Sequence, residues 1–112
     1  MKAGGMGFVV ADPEGRLVGL RQDRWQQYVL DKRPFLKNLV REIQEAITNP
    51  QVVYAGNRPF SLLYSGRPFS SGFHQGEMIR VAASFDRAFK YGQVRTVYIT
   101  SQSYKGVIVW PP

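Results

Sequence analysis

Arg80 stands in the run Met78 to Phe85, where Ile79, Val81, Ala83 and Phe85 fall on one side of an alternating pattern and Arg80, Ala82 and Ser84 on the other. In the run Val94 to Thr100, Thr96, Tyr98 and Thr100 also share one side. If these two faces adjoin, they make a cationic, hydroxyl-lined surface suited to a phosphate. Tyr98 could there donate a proton or stack on a base, although cross-strand packing is the competing reading of that ring. Arg58 joins the substrate-binding set because its planar fork matches phosphate. The only histidine, His74, lies in the glycine-rich loop from Gly66 to Gly76. It is the one side chain here that ordinarily titrates near neutral pH, so it is a candidate acid or base, with a plain surface role as the alternative.

The inventory excludes other chemistries. There is no cysteine, hence no disulfide framework, thiol nucleophile or cysteine zinc site. Asp12, Asp23, Asp31 and Asp86 are scattered, while Glu42 and Glu45 share one helix face. No pair among them reads as a two-metal or glycosidase arrangement. A serine triad would need His74 beside a distant acid and lacks a nucleophile elbow. No metal and no cofactor is expected.

Charge points to the partner. Fifteen Lys and Arg against eight Asp and Glu give a net +7 on 112 residues. Arginine outnumbers lysine two to one. Such a domain is drawn to polyanions by long-range attraction and counterion release. Nucleic acid is the expected partner, RNA ahead of DNA. A solubility charge, an acidic protein and anionic lipid are the competing explanations.

The elements that must carry these residues follow from the punctuation. Phe8-Val9-Val10 and Leu17 to Leu20 flank Asp12-Pro13-Glu14-Gly15, which reads as a β-hairpin over 7–21. The preceding Gly4-Gly5-Met6-Gly7 is too weak for a phosphate loop, since it lacks the lysine and the following helix. Two helices are expected over 23–49. Asp23 could cap the first, with Trp25, Tyr28, Val29 and Leu30 as its stripe. Pro34 opens the second, with Phe35, Leu36, Leu39, Val40, Ile43, Ala46 and Ile47 as its apolar face, and Asn49-Pro50 ends it. Strand runs follow over 51–110, the last being Val107 to Trp110. The expected fold is a single α+β domain over 1–112: a hairpin, two helices, then a curved antiparallel sheet of about four strands. Arg-Pro-Phe occurs at Arg33, Arg58 and Arg67 in unequal contexts, which does not make a repeat. No stretch approaches the roughly 20 apolar residues of a membrane span, and the start does not read as a signal peptide. The expected compartment is the cytoplasm, with no membrane partner.

Arg24-Trp25-Gln26-Gln27-Tyr28 through Arg33-Pro34, then Leu63-Tyr64, Ile79-Arg80-Val81-Ala82, Thr96-Val97-Tyr98-Ile99-Thr100 and Lys105-Gly106 through Trp110 form an ordered set. Its order and spacing, from about residue 16 to residue 110, resemble the phage-associated, toxin-type relatives of the barnase, EndoU, colicin and RelE ribonucleases. The resemblance implies a metal-independent endoribonuclease, in which the ribose 2′-OH attacks the adjacent phosphate. That reaction needs a base, an acid and positive charge on the phosphate in flight. The resemblance assigns Arg33 and Lys32 to the active turn, at a helix start where anions are favoured, and Lys105 to the family's Lys-Gly step. With Arg80, Tyr98 and His74, Arg33 and Lys105 form the expected catalytic set; Lys32, Arg58, Thr96 and Thr100 are the expected substrate-binding set. The resemblance also implies an acidic antitoxin or inhibitor protein. One departure matters: Tyr28 and Arg33 stand where the family has histidines, and a guanidinium scarcely serves as a base. Two alternatives therefore stay open, a catalytically silent nucleic-acid-binding module and a basic domain that docks an acidic protein.

Overall fold

The computed structural model describes residues 6–112. The Gly4-Gly5 start lies outside the described residues, as do the side chains of Tyr28 and Val29.

Among the described residues, seven strands make one mixed sheet. They are β1 (Met6–Ala11), β2 (Leu17–Arg21), β3 (Val52–Ala55), β4 (Ser61–Ser65), β5 (Met78–Phe85), β6 (Tyr91–Thr100) and β7 (Ile108–Trp110). Their order is β1-β2-β6-β5-β4-β3-β7. Neighbours are antiparallel except β2 and β6, which run parallel with Leu17 opposite Tyr91 and Gly19 opposite Gln93.

The expected four-stranded antiparallel sheet is therefore corrected in number and in sense. The hairpin is not a separate unit: β2 pairs with β6 and carries β1 into the same sheet. A pairing between segments so far apart in the chain leaves no mark in local periodicity, which reports only which residues face inward.

The two expected helices are also corrected, because both are short and irregular. The first is α1 (Gln22–Arg24), which runs on as a π-helical turn over Trp25–Leu30. Its amide at Asp31 reaches back to the Gln26 carbonyl at 3.3 Å. Asp23 is not its N-cap residue, which is Arg21; the Asp23 carboxylate pairs with Arg21 at 3.1 Å and accepts the Arg24 amide at 2.8 Å. The second starts as a 3₁₀ turn, Pro34–Asn38, and becomes α2 (Val40–Thr48) only after Leu39. Core spacing explains the break. Leu36 and Leu39, three apart, share a side of a 3₁₀ turn, while Ile43 and Ile47, four apart, share a side of an α-helix.

α2 packs on β5, β4 and the edge strand β1, so the sheet curls around it. The core beneath the helix holds Val18, Leu20, Leu36, Ile43, Ile47, Val53, Tyr64, Val81, Val94 and Val97. Alternation along each strand sends the intervening residues to the opposite face. That second face, free of α2, carries the site.

Candidate functional site

A cleft of about 520 Å³ opens on the face away from α2. β4 and β5 form its floor through Leu63, Ala82 and Ser84; β6 supplies Arg95, Thr96 and Tyr98. Arg24 closes one end from α1, Asn57 and Arg58 line it from the β3–β4 turn, and Ser61 from the start of β4. Tyr104, from the segment between β6 and β7, completes the wall.

A β-bulge shapes the β6 side. Ala82 pairs with Thr96 but Ala83 with Val94, so Arg95 is an extra residue in the ladder. Regular alternation would send Thr96 to the core side if Arg95 faced the cleft. The bulge instead lets both line it, while Val94 and Val97 stay fully buried behind.

The Tyr104 wall is held on several sides. Its hydroxyl donates to Oδ1 of Asn57 at 3.1 Å. Its ring lies 4.9 Å from that of Tyr54, and the Arg80 guanidinium sits 5.8 Å from its centroid. Gly106 makes room for it: a Cβ there would come within 2.5 Å of the ring.

Several groups in the cleft have no partner within the protein. Among the described residues, the side chains of Arg58, Ser84, Arg95, Thr96 and Tyr98 make no hydrogen bond, ion pair or ring contact. Among the described residues, no aspartate, glutamate, histidine or lysine lines the cleft. The arrangement offers positive charge and hydroxyl donors, with nothing to repel an anion.

The chain matches no protein-family model, no curated protein and no solved structure.

The expected site residues divide into three groups. Arg58, Thr96 and Tyr98 line the cleft together. Arg80 pairs directly across the ladder with Tyr98, so the two strand faces do adjoin. Arg80 itself is only 4% exposed, however, and lies behind Tyr104 rather than on the surface. Thr100 is on the same strand but outside the cleft, and its hydroxyl accepts the Gln102 amide at 3.0 Å.

Lys105 is exposed beside Tyr104 and does not line the cleft. Lys32 and Arg33 precede the 3₁₀ turn whose Leu36 is buried in the core with α2, and neither reaches the cleft. His74 is elsewhere too. Its Nδ1 lies 2.6 Å from Oε1 of Glu77, and Phe35, Phe69 and Phe73 surround its ring.

Arg24, Ser84, Arg95, Asn57 and Tyr104 are cleft residues that the sequence reading did not assign. Arg95 had a signal: Val94 and Val97 are three apart, which breaks strict alternation and marks a bulge. Ser84 shares its strand side with Arg80. Nothing local marks Arg24, Asn57 or Tyr104, which chain topology brings together.

Proposed function

We propose that this protein is a nucleic-acid-binding module that takes a single strand, RNA ahead of DNA, into the cleft. The observation that carries this reading is the set of unpartnered donors, Arg58, Ser84, Arg95, Thr96 and Tyr98, converging where no carboxylate stands. Guanidinium forks suit phosphate oxygens. The hydroxyls of Ser84 and Thr96 suit sugar and phosphate oxygens, and a free tyrosine ring suits a base. A single strand fits better than a duplex, because its bases are open to an aromatic side chain.

Binding is favoured over cleavage. Attack by a 2′-OH needs a base, and a guanidinium holds its proton. Among the described residues, His74 lies outside the cleft and no carboxylate lines it. The ribonuclease reading keeps one supporting observation, the pairing of Tyr98 with Arg80 beside Thr96. An acidic inhibitor protein would compete for the same surface.

One experiment tests both. Total RNA and tRNA are incubated with the protein in excess chelator, then run on denaturing and native gels. The expected result is retarded, intact RNA, weakened by Arg58→Ala and Arg95→Ala. Discrete cleavage suppressed by Tyr98→Phe would replace binding with the ribonuclease reading. Free, intact RNA at high protein concentration would sink both.

A further inference from the structure

Arg80 is a buried charge without a counter-charge. It is 4% exposed, yet it forms no ion pair with any carboxylate among the described residues. Its Nε donates to the Ser65 hydroxyl at 3.3 Å, and one terminal nitrogen lies 3.9 Å from the Met78 sulfur. Its guanidinium also lies 5.8 Å from the centre of the Tyr104 ring. These contacts place the guanidinium but leave its charge uncompensated. Buried charges are ordinarily paired, because removal from water is costly. Among the described residues, the buried Ser65 is neutral by contrast, and the buried Asp12 has Arg16 as its counter-ion.

We propose that Arg80 is a specificity-determining positioning residue for the cleft, a buried permanent cation whose field selects a phosphate-bearing ligand and which sets the Tyr104 wall. This rests on the reading of the cleft as a nucleic-acid site. The compensating charge is then the ligand's own. A phosphate seated near Tyr98 and Tyr104 faces Arg80 through protein rather than through water. Salt weakens attraction between exposed charges, while buried charges are screened much less. The exposed Arg58 and Arg95 and the buried Arg80 thus act on one ligand in two ways that salt separates.

The test is a salt series of fluorescence anisotropy with a short labelled single-stranded RNA, from about 50 mM to about 200 mM salt. Arg80→Met should weaken binding about tenfold at every salt concentration, with the slope of log affinity against log salt unchanged. Arg58→Ala should reduce that slope by about one. Arg80→Lys, which keeps the charge and loses the fork, should restore most of the affinity. Arg80→Gln serves in place of Arg80→Met if the latter fails to fold by circular dichroism.

Equal losses in Arg80→Met and Arg80→Lys would reduce Arg80 to a packing role and overturn the proposal. So would a loss that disappears at high salt, or no loss at all. Pyrophosphate is the second probe. Should RNA fail to bind while pyrophosphate raises the Tm of the unaltered protein at high salt but not that of Arg80→Gln, the nucleic-acid reading falls and the Arg80 proposal stands. Should neither probe bind, both fall.

Discussion

The Tyr64 hydroxyl donates a 2.7 Å hydrogen bond to Oδ2 of Asp12, fastening the turn of the first hairpin to the middle of β4. Tyr64 is fully buried and Asp12 is 4% exposed. The same carboxylate accepts the Arg16 Nε at 2.7 Å and the amides of Glu14 and Arg16 at 2.9 and 2.8 Å. Every acceptor position is used, so the group is satisfied without solvent. Tyr64→Phe should cost about 1–2 kcal/mol, and Asp12→Ala about 3 kcal/mol or more, because it orphans several donors. Urea denaturation of the two variants checks the order.

Alkaline pH should weaken the fold through the same hydroxyl. Burial first, then its bond to the Asp12 carboxylate, raise the Tyr64 pKa well above the ordinary value of 10. The folded protein therefore keeps this proton where the unfolded chain releases it. The contribution is complete below about pH 10 and is lost as pH rises beyond that. Melting temperature followed from pH 8 upward should fall more steeply in the unaltered protein than in Tyr64→Phe. Parallel curves would show that Tyr64 is not responsible.

Arg58 and Arg95 are exposed, and among the described residues their side chains make no hydrogen bond, ion pair or ring contact. Replacing either with alanine should leave stability within about 0.5 kcal/mol. Each should reduce the salt slope of RNA binding by about one. Loss of binding with unchanged Tm is the expected signature, read by anisotropy and differential scanning fluorimetry on the same samples.

Tyr98 separates stacking from proton donation. Among the described residues, its ring makes no ring contact and its hydroxyl no hydrogen bond. Tyr98→Ala should cost about 1–3 kcal/mol of binding to a single strand, whereas Tyr98→Phe should bind almost as well as the unaltered protein. An equal loss in both would mean that the hydroxyl, not the ring, holds the ligand.

Gly106→Ala tests the Tyr104 wall without altering any charge. The added methyl would meet the ring at 2.5 Å and must displace it. RNA affinity should fall, while global stability changes little in this exposed segment. Gly106→Ala binding like the unaltered protein would show that the wall plays no part.

The sequence was a good guide to which residues face inward and a poor guide to which segments meet. The alternation in Met78 to Phe85 located Arg80, and the face shared by Thr96 and Tyr98 does adjoin it. That inference used only local period, which two paired strands must both obey. Arg24, Asn57 and Tyr104 reach the cleft because α1, the β3–β4 turn and the segment before β7 converge there, and no local period encodes such a meeting. The same limit hid the parallel pairing of β2 with β6. It also left Arg33 resting on the resemblance and His74 on its chemical type, and both lie outside the cleft. For Arg80, alternation gave the side of the strand but not the depth: Tyr104, from a distant segment, covers it.

The parallel pairing of β2 with β6 also orders events during synthesis. Leu17 to Gly19 must wait for Tyr91 to Gln93, so the hairpin leaves the ribosome long before its neighbour exists. Until then β2 presents an open row of amides and carbonyls, flanked by Val18 and Leu20, which are buried only later. A chain stalled before residue 91 would hold a hairpin able to recruit another nascent copy. The inner edge of the first hairpin is thus closed only when the last fifth of the chain has been made.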